Sequence, residues 1–168
     1  MRPLTAFKPN SRERSKGLIM SNIRQIIKIA LLLVQGIFDA VKKSMDFTRL
    51  EDKICKLNQE AAGMLLVHAL EALDERLLAK GEKGLEVICK KECTLVTGVG
   101  EITFKRHYSK DKKGDYSFLS DESLGSRPRM RMSKRMQCLA LELATKMFFR
   151  RATKILSYIT LAVSHMGV

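Results

Sequence analysis

The hydrophobic period of this chain changes near residue 85, and that switch limits the folds open to it. Upstream, Ile23, Ile26, Ile27, Ala30, Leu31, Val34, Ile37, Phe38 and Val41 recur at three- and four-residue steps, which predicts a helix over 22–44. Arg24, Lys28, Gln35, Asp39 and Lys42 fill its other face. A second, longer helix is predicted over 48–80, with a stripe of Leu50, Ile54, Leu57, Ala61, Leu65, Ala69, Ala72 and Leu77. Thr48 and Glu51 stand at capping-box spacing, and Gly81 and Gly84 end the helix. Such a stripe suits an antiparallel partner helix or a dimer.

Downstream the period is two. Glu86–Cys89, Thr94–Thr97 and Glu101–Tyr108 read as strands, with Gly98-Val99-Gly100 as a turn. Ile102, Phe104 and Tyr108 fall on one face of the third run, and Thr103, Lys105 and His107 on the other. Ser109–Gly114 is a charged loop, and Tyr116–Leu119 returns as a short strand. Ser133 caps a helix over 134–147 that packs through Met136, Leu139, Leu143 and Met147, and a further helix covers 150–161. A turn follows, with Ser164 placed to cap a third helix. The fold class is therefore α+β, mainly α: two N-terminal helices, a small basic antiparallel hairpin or sheet, and C-terminal helices that open a helix-turn-helix.

The organisation divides accordingly. Residues 1–19 hold two of the three prolines and no periodic pattern, which predicts disorder or an over-extended start before Met20. Residues 20–84 form a helical segment able to dimerise, and 85–119 a basic β-hairpin region. Residues 120–133 read as a linker, and 134–168 as an incomplete helix-turn-helix.

Charge narrows the function classes. The net charge is +13, enough to attract polyanions at long range. DNA, RNA and anionic membrane are candidates, as is a surface that is merely solubilising. The charge is not uniform: residues 1–45 carry +7, 46–80 carry −2, 81–135 carry +5 and the remainder +3. The apolar stretch Ile26–Val41 is broken by Lys28, Gln35 and Asp39, and its unbroken run Ile29–Val34 falls far short of the ~20 residues of a membrane span. Cys55, Cys89, Cys93 and Cys138 are scattered and read as reduced thiols of a cytoplasmic protein.

Motifs of enzyme chemistry are missing. The chain has no G-x-S-x-G, H-E-x-x-H, P-loop or dinucleotide glycine pattern. Cys89 and Cys93 are spaced C-x3-C with His107 beyond, but a structural zinc site needs two close pairs and the second is absent. Asp74-Glu75 and Asp121-Glu122 read as solvated acids, and His68 as a core or boundary residue. No catalytic or metal site, cofactor or small-molecule substrate is predicted.

Basic clusters remain. Lys105, Arg106, Lys110, Lys112 and Lys113 put five charges in nine residues, with Lys90 and Lys91 on the neighbouring strand. Phe104, His107, Tyr108 and Tyr116 are interleaved among them. A basic hairpin of this kind can follow a phosphate backbone or enter a groove. Arg127, Arg129, Arg131, Lys134 and Arg135 form a second cluster with the spacing of an extended arm. DNA is the expected partner and these residues, with His107, are the candidate contacts.

The order of elements resembles that of bacterial insertion-sequence transposases of the Lre type, a group overlapping a set filed as an uncharacterised protein family (UPF). The residues that carry the resemblance are Glu92–Tyr108 (ECTLVTGVGEITFKRHY) and Tyr116–Gly125 (YSFLSDESLG), then the helices that follow and Val163-Ser164-His165. It covers about residues 20–168 and departs at Cys93 and His107, where the family tends to have Arg and Tyr. The resemblance implies that the parent is a DNA transposase whose metal-binding catalytic acids lie beyond residue 168. This chain would then be its truncated N-terminal DNA-binding part, without transposition activity of its own, and a homodimer is the expected assembly. Two other readings stay open: a helical assembly module, and a nonfunctional remnant of a decayed mobile element.

Overall fold

The computed structural model describes residues 11–43, 46–80, 86–111, 114–125 and 130–160. It is α+β and mainly α. Two long helices lead, α1 (Ser11–Lys43) and α2 (Phe47–Lys80). A three-stranded antiparallel sheet follows, β1 (Glu86–Thr97), β2 (Gly100–Lys110) and β3 (Tyr116–Phe118), in the order β1-β2-β3. The short α3 (Leu119–Ser123) and the pair α4 (Lys134–Lys146) and α5 (Phe149–Thr160) complete it.

α1 begins at Ser11, so residues 11–19, expected to be disordered, are helical, and residues 1–10 lie outside the described residues. The reason lies in composition: no proline occurs between Pro9 and the end of the helix. α2 is started by Asp46 rather than Thr48: the Asp46 carboxylate accepts from Thr48 N–H at 3.4 Å, and its carbonyl accepts from Leu50 N–H. Gly81 and Gly84 lie outside the described residues.

α2 is the spine of the molecule. Its first half packs on α1, where Ile29 and Ala40 are buried and Leu57 lies against Gly36. Its second half crosses β2, with Gly63 against Ile102. The two strand runs expected before the turn are one continuous strand, β1, with an irregularity between Val87 and Cys89. It turns through Gly98-Val99, and Gly100 takes a φ of 117°, open to glycine and strained for other residues.

The segment expected to be a linker is largely built in. Leu119–Ser123 is helical, and Gly125 ends that turn with a φ of 57°. Val96 N–H donates to Arg131 carbonyl, and Ser133 N–H donates to Val96 carbonyl, so Met132 is stitched parallel to the outer edge of β1. Residues 126–129, including Arg127 and Arg129, lie outside the described residues. Ser133 caps α4, its hydroxyl accepting from Met136 N–H. Residues 161–168, where a third helix is expected, are also outside.

Candidate nucleic-acid interface

The predicted contacts divide sharply once folded. β2 alternates, with Ile102, Phe104 and Arg106 buried and Glu101, Thr103 and Lys105 exposed. Arg106 is only 8% exposed; its guanidinium is paired with Asp121 of α3 and lies 3.8 Å from the Phe118 ring centroid. Asp121, a solvated acid by sequence, is instead the partner of a buried cation. An isolated buried guanidinium is too costly to keep without such a partner.

His107 is 7% exposed, although it shares a face with Thr103 and Lys105. The reason is α2. Asp74, 1% exposed, accepts from His107 N–H at 2.8 Å and approaches His107 Nδ1 at 2.6 Å. Asp74 is thus also not the solvated acid that its sequence context suggests. One turn earlier Glu71 accepts from Lys105 N–H at 2.9 Å. Both N–H groups lie on the stretch of β2 that β3 does not reach, so α2 supplies the acceptors a longer β3 would have supplied. Arg106 and His107 are therefore structural and not available to a polyanion.

The other cations of the sheet are occupied loosely. Lys90 pairs with Glu75 at 3.8 Å and Lys105 with Glu92 at 3.5 Å. Lys91 sits 4.0 Å from the Tyr108 ring centroid and Lys110 5.4 Å from that of Tyr116. Tyr108 also stacks on Tyr116. Exposed pairs of this kind are worth little and exchange readily for a phosphate. Lys112 and Lys113 lie outside the described residues. Cys89 and Cys93 pair in register with Tyr108 and Phe104, on the face opposite His107, so the three cannot converge. Among the described residues no group of three or more His, Cys, Asp or Glu is arranged for a metal ion.

Further exposed cations stand on two helices, at the start of α4 and along α5. Arg131, Lys134 and Arg135 stand at the start of α4, with Arg131 and Arg135 exposed and Lys134 also reaching solvent. Arg150, Arg151 and Lys154 are exposed on α5, whose opposite side buries Ala152 and half-buries Ile155 and Leu156. Neither helix has an acid in its first turn, and no acid follows Glu142 anywhere in the sequence. Glu142 is itself committed, accepting from Lys146 Nζ at 2.5 Å. The Lys146 ammonium holds the Glu142 carboxyl below its ordinary pKa, through the hydrogen bond first and charge second. Phe148 and Phe149, at the junction of α4 and α5, are 87% and 77% exposed.

The cations of α5 escape a reading by clusters because apolar residues separate them along the chain. Asp74 does carry a signal in the sequence: Val67, Leu70, Asp74 and Leu77 recur at helical spacing, which puts the acid on an apolar stripe.

A groove of about 1050 Å³ opens between α1, α2 and the β1–β2 turn. None of the predicted contacts lines it, and Glu60, Glu71, Glu75 and Glu101 outnumber Lys28 and Lys56 there, so it does not suit a polyanion. No described helix is long and apolar enough to cross a membrane.

The sequence profile of the uncharacterised protein family UPF0236 matches residues 40–168. A UPF0236 protein in the vanSb 3' region of Streptococcus gallolyticus is 33% identical over 134 residues, 77% of this chain. The chain spans only 29% of that relative's length. No solved structure matches the chain.

Proposed function

This chain belongs to the UPF0236 family, and we propose that it is the DNA-binding portion of a longer, transposase-like protein, contacting DNA through the exposed cations at the start of α4 and those of α5. One observation carries the reading. Lys134 and Arg135 open α4, and Arg150 and Arg151 open α5, so both helices place cations at their positive ends. Helix stability alone favours acids there. A phosphate bound at those ends supplies the missing negative charge. The exposed cations of the sheet, Lys90, Lys91 and Lys105, and the half-buried Lys110 extend the contact, while Arg106 and His107 hold the fold.

In this reading the chain binds rather than cuts. The resemblance to Lre-type transposases puts the catalytic acids in the part of the longer protein that this chain does not include. A DNA partner also sets the compartment as the cytoplasm, in keeping with Cys55, Cys89, Cys93 and Cys138, all free thiols.

The test is fluorescence anisotropy with a short DNA duplex across a salt series. Log affinity falls with log salt with a slope of about −0.9 for each phosphate neutralised. Replacing Lys134, Arg135, Arg150 and Arg151 by Gln should weaken binding and flatten the slope by about that amount for each phosphate left unneutralised. No binding at low salt, or a slope unchanged in the quadruple variant, overturns the proposal.

A further inference from the structure

The long helix α2 is the segment whose stripe suggests a dimer, but much of its apolar surface is used within the chain, by α1 on one half and by β2 on the other, with Met64 and Leu65 left exposed. The longest continuous run of exposed apolar residues among the described residues lies on α1. Ile27, Leu31, Val34, Phe38 and Val41 follow one another at steps of four, three, four and three, and all are between 49% and 64% exposed. Such a run is the a/d seam of a coiled coil. Ile29 and Gly36, on the side of the helix away from the seam, are turned toward α2. α1 thus has two apolar sides, one filled by α2 and one open among the described residues.

We propose that this seam pairs with the same seam of a second copy of the chain, with the two α1 helices parallel. The flanks select both the occupant and the direction. One flank holds Lys28, Gln35 and Lys42, and the other Ile23, Ala30 and Ile37. In a parallel, in-register pair the first flank of one helix lies beside the second flank of the other. Lys28 then meets the Ile23 side of the second helix, Gln35 the Ala30 side and Lys42 the Ile37 side, so each lysine lays its stem on apolar surface with its ammonium in water. An antiparallel pair that keeps the whole seam brings Lys28 of one helix toward Lys42 of the other, two like charges. Arg24 takes the next core position toward the N-terminus, where two guanidinium groups would meet, so the seam starts at Ile27. α2 already occupies the far side of α1, which leaves room for one further helix.

Sedimentation equilibrium of the full chain without DNA tests the proposal. A mass twice the 19.1 kDa of the chain is expected, with Leu31→Glu plus Phe38→Glu raising the dimer Kd more than about tenfold, since each charge must be desolvated in the seam. Leu141→Glu, a similar change at an exposed leucine of α4, should leave the mass unchanged. Far-UV circular dichroism confirms that each variant retains its helices. Ile27→Cys, in a chain whose four native cysteines are replaced by Ser, should cross-link to the identical cysteine of the second copy on mild oxidation, a readout that does not depend on the glutamate variants folding. A monomer at every concentration, a dimer that survives the double variant with its helices intact, or a dimer with no cross-link at position 27 overturns the proposal. None of these readings involves DNA, so the outcome is independent of the nucleic-acid proposal.

Discussion

Asp74 of α2 holds His107 of β2 twice through one carboxylate oxygen, once at the backbone N–H and once at the imidazole Nδ1. The second carboxylate oxygen is buried with no hydrogen-bond partner among the described residues, so the whole anchoring falls on one atom. This bond fixes the second half of α2 to the middle of the sheet.

Asp74→Ala should destabilise the fold by about 2–4 kcal/mol, because it strands two buried donors and loses a charge-assisted bond. Asp74→Asn keeps an acceptor oxygen and should cost less, about 1–2 kcal/mol. Urea unfolding followed by circular dichroism measures both. An alanine variant as stable as the parent would mean that water reaches the pair.

Breaking the Arg106–Asp121 pair from either side should cost about 3–5 kcal/mol, since the residual charge stays largely buried. Removing both together should cost less than the sum of the single changes. A double-mutant cycle on denaturant midpoints reads the coupling. Strict additivity would show that the two side chains do not depend on each other.

Exposed and buried cations should separate in binding. Arg150→Gln plus Arg151→Gln should reduce the salt slope for DNA by about 1.8, at about 0.9 for each phosphate left unneutralised. Lys90→Gln plus Lys105→Gln should reduce it by less, because Glu75 and Glu92 already share those charges. Equal reductions would shift the centre of the interface back to the hairpin.

Glu142 and Lys146 give α4 a pH-dependent contribution whose sign is fixed. The folded-state pKa of Glu142 is lowered, so the stabilisation is present above the ordinary carboxylate range and disappears as pH falls through the lowered value. The difference in Tm between the parent and Glu142→Gln should be small at neutral pH and vanish in acid. A gap that widens on acidification would contradict the pairing.

Gly125→Ala should destabilise by about 1 kcal/mol, because the backbone there has a φ of 57°. The effect should appear as an earlier thermal transition, with the helix content of the folded state preserved. An unchanged midpoint would show that the turn after α3 relaxes at no cost.

Much of this architecture is legible in the sequence. The helical period of residues 22–44 and 48–80, the alternation after residue 86 and the glycines at 98 and 100 specify two helices and a hairpin, because local periodicity follows directly from backbone geometry. The cap at Ser133 and the two helices after it are equally local, and the excess of positive charge is a matter of composition. Contacts between residues distant in the chain depend on the tertiary structure. Asp74 and His107 are 33 positions apart, and although the apolar stripe around Asp74 marks it for burial, nothing near either one names the other as its partner. The same holds for Arg106, an interface cation by sequence and a buried anchor once α3 folds over it. Charge in a sequence says which side chains are cationic. Which of them meet solvent is decided by helix-on-sheet packing, since burying a charge requires a partner that only another part of the chain can bring.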